Sequence, residues 1–314
     1  MPDLQNPPIS KAIRDEARRR ESASRRRTGR TALLFIAPAL AMVVCFLLAP
    51  VVFNVLLSFT KWQRFSGMDE FAGFQNYRRL FAVPYFTDVI INTSMWVVGA
   101  IVLPLAFGLG LALLLRNVPM EGFFKSMFFL PRVLAPAAVG TLWYYVYAPH
   151  GVINTMTGAV TGTETDFGWL FEAGSITPAI IMTFVWQTLG INMVLLLLGM
   201  AAIPRDPIEA ARVDGASGWQ IFRHIIWPLL LPTVFVVTIL NVIAGFTAFD
   251  LIWVMANGYP AQRSLSLAVY MYYETFSNSR WAYGAAIAVM LSALVILVSW
   301  LLTVMQSRVE DRIR

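Results

Sequence analysis

The sequence predicts an all-helical integral membrane protein with six transmembrane helices and a polar helical segment between the fourth and the fifth. Composition is the first reason, because 58% of the 314 residues are hydrophobic and only 13% are charged. Soluble domains carry about 25% charged residues. The mean hydropathy of +0.64 indicates more apolar surface than a soluble core could absorb, so the chain is expected to lie in a lipid bilayer.

Six long apolar runs are the second reason. Each is longer than the roughly 20 residues that cross about 30 Å of hydrocarbon, and their continuous rather than alternating pattern argues against a spanning β-sheet. The first run is too long for the core of a cleaved signal peptide and is therefore predicted to remain as a span. The predicted spans are 31–59, 89–115, 123–148, 177–202, 228–256 and 283–306.

The distribution of lysine and arginine predicts the orientation of these spans. Residues 1–30 form a basic tail, 31–306 hold the spans, and 307–314 form a short C-terminal tail. The positive-inside rule places both termini and the polar segment in the cytoplasm. The side predicted to be outer carries few cations, namely Lys61, Arg64, Arg78, Arg79, Arg263 and Arg280. Basic residues gathered beside a span indicate contact with membrane lipids rather than with nucleic acid, despite the net charge of +6.

The polar segment between the fourth and fifth spans, residues 204–224, contains its own helix start and stop signals. Pro204 ends the preceding helix, and Asp206 is predicted to be the N-cap of a new one. Gly215 is predicted to end that helix in a left-handed conformation, and Ser217 to cap a second helix. The first helix carries small residues that allow close approach of another surface, Ala210 and Ala211. We call residues 204–224 the polar hairpin and predict that it docks a partner.

The polar hairpin carries a family resemblance. Glu209-Ala210-Ala211, followed by Asp214-Gly215-Ala216 and by Phe222, Ile225, Pro228 and Pro232, resembles the EAA loop of bacterial ABC importer permeases. More narrowly, the chain resembles the carbohydrate-uptake permeases, the group that includes the maltose transporter subunit, over nearly everything after residue 30. Three further stretches agree, Gly73–Tyr77, Phe129–Pro131 and Gly284–Ala286. In Asn257–Pro260, Tyr259 departs from the usual Gly-Gly-Pro of the family.

The resemblance implies a permease of the type I fold in the bacterial cytoplasmic (inner) membrane. Two homologous permease chains would form the pore, two ABC ATPase subunits would dock on their EAA loops, and an extracytoplasmic solute-binding protein would deliver a sugar or sugar derivative. The chain itself would bind no cofactor and catalyse no reaction, because ATP and Mg²⁺ would be held by the ATPase subunits. The residues that match the ATPase-coupling motif are Glu209, Ala210, Ala211, Asp214 and Gly215.

Candidate residues of the solute path lie in the fourth and fifth predicted spans. Carboxamides beside aromatic rings suit neutral, hydroxyl-rich ligands, and a carboxylate inside a span is a functional candidate by default. The candidates are Trp186, Gln187, Gly190, Asn192, Asn241, Gly245, Phe246 and Asp250. Two alternatives stay open, because amides also link helices inside membranes and Asp250 could be an interfacial charge.

Two other functions compete with the importer. An intramembrane serine protease would use Gly215-Ala216-Ser217-Gly218 with His224, but Ser217 is predicted to lie in a charged cytoplasmic loop rather than in a water-restricted cavity. A secondary transporter is expected to show inverted repeats and several intramembrane charges, and the sequence shows neither feature. A phosphate-binding Gly-x-x-x-x-Gly-Lys-Ser/Thr loop is absent from the sequence, and two histidines with one cysteine do not predict a metal site.

Overall fold

The computed structural model describes residues 35–68, 70–116, 118–163, 165–256, 261 and 265–313. The predicted basic tail 1–30 and the predicted turn Asn257–Pro260 lie outside these residues. Regular structure in the described part of the chain is helical, with an isolated antiparallel bridge between Thr60 and Phe71. The prediction of an all-helical fold is therefore confirmed for the residues that the structure describes.

Five helices are long and apolar enough to cross a membrane, or six spans if one bent helix pair counts as a span. In chain order the helices are α1 (Phe35–Ser58), α2 (Gln75–Ala82), α3 (Phe86–Leu115), α4 (Glu121–Val133), α5 (Pro136–Val146), α6 (Val152–Thr161), α7 (Ile176–Ala201), α8 (Asp206–Val213), α9 (Gly218–Thr247), α10 (Asp250–Met255), α11 (Leu267–Tyr272) and α12 (Trp281–Ile313). The five long ones are α1, α3, α7, α9 and α12.

The chain divides into two units, residues 1–56 and 57–314. In the first unit, α1 exposes its apolar side chains along nearly its whole described length, including Cys45. The second unit is built around α7, which is the most buried of the long helices. Helices α3 and α4 pack on α7, and α9 packs on α3 and α12.

The prediction of one continuous third span is corrected by the structure. Helices α4 and α5 meet at 96°, and Leu134 and Ala135 between them are extended, with ψ of 140° and 138°. Pro136 is the cause, because a proline ring disfavours the helical conformation of the residue before it. Pro131, near the end of α4, removes a further helical donor.

The fifth span also differs from its predicted bounds, 228–256. Helix α9 begins ten residues earlier, at Gly218 inside the polar hairpin, and ends at Thr247. It widens into a π-helical turn over Phe222–Ile226, next to Pro228, whose ring would otherwise crowd the carbonyl one turn back. Ala248 is extended, so the last residues of the predicted span form the separate helix α10.

Three segments that were predicted to be loops contain short helices. Helix α2 lies between the first and second spans, α6 follows α5, and α11 precedes the last span. Helix α12 starts two residues before the predicted sixth span and continues to Ile313. The long helices α3 and α7 agree with their predicted spans within three residues at each end.

Candidate functional site

Helix α8 forms the first half of the polar hairpin. Its hydrogen bonding begins at the carbonyl of Arg205, which accepts from the amides of Ile208 and Glu209 at 3.0 and 2.9 Å. Arg205 is therefore the N-cap, and the predicted N-cap, Asp206, is wrong by one position because it is already helical and makes no capping hydrogen bond. The acidic residues of the first turn, Asp206 and Glu209, still lie at the positive end of the helix dipole.

The turn after α8 is a Schellman motif, and Gly215 has the left-handed conformation that was predicted for it. Gly215 has a φ of +79°, the left-handed conformation that glycine adopts without a Cβ penalty. The amide of Ala216 donates to the carbonyl of Ala211 at 2.9 Å, and the amide of Gly215 donates to Arg212 at 3.1 Å. These two bonds satisfy carbonyls that the helix end would leave without partners.

Ser217 opens α9 with a capping box, which confirms the predicted cap. The amide of Ser217 donates to Oε1 of Gln220 at 2.7 Å, and the amide of Gln220 lies 3.4 Å from Oγ of Ser217. Nδ1 of His224 lies 3.0 Å from the carbonyl of Gln220. Both side chains of the protease alternative, Ser217 and His224, are thus engaged in the local structure of an exposed helix start rather than paired with each other.

The polar hairpin has one buried face and one exposed face. Ile208 and Ile221 are 5% and 6% exposed and belong to a core cluster with α7 and α9, against which Ala211 and Ala216 pack. Glu209, Ala210 and Asp214 are exposed. Val213 and Trp219 are large apolar residues with exposed fractions of 88% and 66%. The two alanines that were predicted to form one small-residue face therefore lie on different faces. Ala210 is exposed, and Ala211 packs against the core.

Asn192 and Asn241 form a reciprocal pair of hydrogen bonds between α7 and α9. Nδ2 of Asn241 donates to Oδ1 of Asn192 at 2.8 Å, and Nδ2 of Asn192 lies 3.3 Å from Oδ1 of Asn241. Nδ2 of Asn192 also donates to the carbonyl of Thr188 at 2.9 Å. Both amides are buried. In this structure they link helices.

Gln187 and Gly190 hold the bent pair against α7. Nε2 of Gln187 donates at 3.1 Å to the carbonyl of Leu134, a carbonyl in the extended break between α4 and α5. Gly190 packs against the backbone of Phe128 so closely that a Cβ there would overlap the Phe128 carbonyl. Gly190 therefore allows α4 to approach α7, and Gln187 provides a hydrogen-bond donor for a carbonyl in the bend.

Gly245 and Phe246 are buried in the packing of α9. The carbonyl of Gly245 accepts a 2.7 Å hydrogen bond from Nε1 of Trp96 on α3, and a Cβ on Gly245 would lie 3.1 Å from that of Ala100. Trp96 was not among the predicted site residues, because a single aromatic in an apolar run gives no sequence signal for a specific partner. Asp250, predicted inside a span, is instead the exposed first residue of α10.

Trp186 lines an apolar cavity of about 300 Å³ beside the bent helix pair. The indole also lies edge-on to Trp143, with ring centroids 5.6 Å apart. The rest of the lining comes from α4 and its end, with one residue from α7: Met127, Phe128, Leu130, Pro131, Leu134 and Leu189. Among the described residues, no group of three or more His, Cys, Asp or Glu side chains is arranged to hold a metal ion.

Comparison with known proteins agrees with this architecture. A probable ABC transporter permease protein of Pyrococcus horikoshii is 34% identical over 273 residues, which cover 86% of this chain and 94% of the relative. The lactose transport system permease protein of Rhizobium radiobacter is 30% identical over 85% of this chain and 91% of the relative.

The fold is shared with solved structures of a bacterial ABC transporter involved in the import of the acidic polysaccharide alginate. The similarity has a TM-score of 0.77 at 20% identity and covers 90% of this chain. It covers 98% of the matched chain in one structure and 97% in the other, which is in complex with an alginate pentasaccharide-bound periplasmic protein. Residues 104–311 match the family described as binding-protein-dependent transport system inner membrane component. The chain belongs to that family and is a multi-pass inner-membrane permease, a translocation component rather than a catalytic one.

Proposed function

We propose that the chain forms half of the pore of an ABC importer and takes up a sugar or sugar derivative delivered by an extracytoplasmic binding protein. The observation that carries the proposal is the exposed polar hairpin, built between two long apolar helices of a permease. Its exposed Val213 and Trp219 are apolar side chains on an otherwise charged element. Such a surface is typical of a docking site for another protein.

The polar hairpin docks on an ABC ATPase subunit and transmits its movement to the pore. Ser217 caps a helix that continues from Gly218 to Thr247, so a displacement of the hairpin moves the membrane part of α9 as one rigid body. The Asn192–Asn241 pair ties α9 to α7, so both helices that flank the hairpin move together. Energy for this movement comes from ATP, which the two partner ATPase subunits bind together with Mg²⁺ and hydrolyse.

A second, homologous permease completes the pore. The excess of lysine and arginine on one side of the membrane supports a cytoplasmic location for both termini and the polar hairpin. The binding protein then docks on the opposite side. The crystal structure of the alginate transporter with its periplasmic protein supports an assembly of this kind.

A sugar-type solute is proposed from the relatives and from the chemistry of the chain. One relative is named as a lactose transport permease, and the related solved transporter imports a polysaccharide. Trp186 is the proposed contact, since its ring lines a cavity and aromatic rings pack against sugar faces through apolar area. Asp250 is exposed and available to a hydroxyl group at the outer end of the path.

The test compares two exposed valines that differ in location. Val213 is 88% exposed on the hairpin, and Val160 is 87% exposed on α6. Tagged chain is co-purified with the second permease and the ATPase, and ATP hydrolysis is measured with solute-loaded binding protein. Val213→Asp is expected to lower both retained ATPase and stimulation by about tenfold or more, as for the loss of an interface hot spot. Val160→Asp is expected to leave the retained ATPase unchanged.

Two results would overturn the proposal. If wild type assembles with no ATPase, the importer mechanism fails and a secondary transporter becomes the better explanation. If Val160→Asp loses as much ATPase as Val213→Asp, the polar hairpin is not the docking site. Glu209→Ala serves as a second variant, because Glu209 is exposed on the same helix and matches the coupling motif.

A further inference from the structure

A cavity of about 450 Å³ with a cationic lining lies at the start of α12. Lys61, Arg79 and Arg280 contribute the charges, and Trp62 and Tyr283 contribute the aromatic walls. The sequence shows these cations only as scattered residues of the sparsely charged side. Folding brings them together from three separate segments. We call this feature the cationic cavity.

Hydrogen bonds to backbone carbonyls fix the walls of the cationic cavity. Nδ2 of Asn76, on α2, donates to the carbonyls of Ser58 and Thr60, both at 2.8 Å. The amide of Ala282 donates to the carbonyl of Trp62 at 3.1 Å. The segment after α1, the helix α2 and the start of α12 are therefore held together independently of any ligand. A preformed cavity of this kind is typical of a binding site.

The charges of the cationic cavity leave one cation without a carboxylate. Lys61 pairs with Glu70 and Arg280 pairs with the buried Glu274, each at 3.0 Å. The guanidinium of Arg79 lies over the ring of Tyr283, 4.8 Å from its centroid. In the described part of the chain Arg79 makes no ion pair or hydrogen bond. Counted over the described residues alone, three cations against two carboxylates leave a net charge of +1, which favours one bound anion.

The position of the cationic cavity indicates which anion. Lys61 follows the end of α1 by three residues, and Arg280 directly precedes α12, so the cavity lies where apolar helices leave the hydrocarbon. The rings of Trp62 and Trp281 meet edge-on at 5.1 Å, and tryptophan marks the membrane–water interface. Phospholipid phosphates lie at the same depth.

Exposed aromatic residues extend this interfacial surface. Phe65, Phe71, Phe74 and Phe81 have exposed fractions of 93%, 78%, 67% and 63%, and all belong to the segment between α1 and α3. Aromatic rings beside arginine side chains are typical of an element that lies in the headgroup region. A soluble partner would also meet these rings, but the helix ends place them beside the bilayer.

We propose that the cationic cavity binds the phosphate diester of an anionic phospholipid. Arg79, held over the ring of the buried Tyr283, supplies the guanidinium donors to the phosphate, and Trp62 packs against the glycerol part of the headgroup. The inference goes beyond the proposed transport function, because it needs only the membrane location of the permease and not the identity of the solute.

The test uses two neighbouring arginines of α2. Arg78 is exposed but does not line the cavity, whereas Arg79 does. Wild type, Arg79→Gln and Arg78→Gln permeases are purified from nanodiscs that contain equal phosphatidylglycerol and phosphatidylcholine, and retained lipid is counted by native mass spectrometry. Arg79→Gln is expected to lower the retained ratio of phosphatidylglycerol to phosphatidylcholine about fivefold. Arg78→Gln is expected to match wild type.

Three outcomes would overturn the lipid proposal. Equal retention of phosphatidylglycerol by wild type and Arg79→Gln would exclude a headgroup site at this cavity. If millimolar inorganic phosphate displaced all of the retained lipid and raised the melting temperature of the permease as much as the lipid does, the cavity would be a site for free phosphate. Unchanged lipid retention together with weaker capture of the binding protein by Arg79→Gln would identify a protein docking site.

Discussion

Replacing either member of the Asn192–Asn241 pair with alanine is expected to destabilise the permease by about 1–2 kcal/mol. Each single variant removes both hydrogen bonds of the pair, at 2.8 and 3.3 Å, and leaves the remaining amide without its partner amide. Interhelical hydrogen bonds in membrane proteins average about 0.6 kcal/mol and reach about 1.7 kcal/mol. A buried group left unsatisfied adds to that cost. Alanine is the right replacement because Gly108 packs tightly against Asn192 and leaves no room for a larger side chain.

The double variant separates the pair interaction from the cost of the two cavities. In Asn192→Ala/Asn241→Ala neither amide remains, so its destabilisation is expected to be about 1 kcal/mol smaller than the sum of the single variants. The measurement is the unfolding free energy of the purified permease in one fixed lipid and detergent mixture. Uptake by the reconstituted transporter gives the second readout, since a structural pair affects the amount of active protein and leaves KM for the solute unchanged.

Two results would refute this reasoning. Strictly additive single and double variants would mean that the two amides do not stabilise each other. A large increase in KM with unchanged unfolding free energy would mean that the amides contact solute, as the sequence alone allowed. The same cycle therefore decides between both interpretations of these residues.

Gly190→Ala is expected to destabilise the permease by about 1–3 kcal/mol, because its Cβ would overlap the Phe128 carbonyl. Gly110→Ala, with nothing within 4 Å of its Cβ, is the control and is expected to gain up to about 1 kcal/mol from helix propensity; equal thermal stability of both variants would contradict the close packing. Glu274→Gln weakens the charged hydrogen bond from Arg280 at 3.0 Å and is expected to cost about 1–3 kcal/mol, measured by thermal unfolding. An unchanged melting temperature would show that this ion pair does not hold the start of α12.

The parts of the fold that could be predicted are those whose cause is local. Helices α3 and α7 follow from continuous apolar runs, whose length alone fixes a span. In the polar hairpin, Gly215 and Ser217 act on their own backbone neighbours, so the turn and the second cap could be read from the sequence. The first cap was misplaced by one residue because Arg205, with φ of −79° and ψ of −30°, already points its carbonyl along the helix. Helix ends are the least certain bounds for this reason.

The bend between α4 and α5 could not be predicted, because its stability depends on a distant residue. Pro131 and Pro136 do not predict the bend by themselves, because continuous membrane helices also contain prolines, whose freed backbone groups are satisfied by neighbouring groups. Here the carbonyl of Leu134 finds its donor in Gln187, 53 positions away in the chain. Pro136 favours the bend locally, and the packing of α4 on α7, allowed by Gly190, stabilises it.

The same long-range packing sharpens the hypothesis about the solute path. Eight residues were predicted for it from their chemistry, and six of them, Gln187, Gly190, Asn192, Asn241, Gly245 and Phe246, are buried by contacts among helices. The amides of Asn192 and Asn241 already bond each other, and a side chain buried between helices offers little to a hydroxyl group. Trp186 beside its cavity and the exposed Asp250 keep free surface. Solute selectivity is therefore best sought first at these two positions, while the buried amides hold together the helices that the polar hairpin is proposed to move.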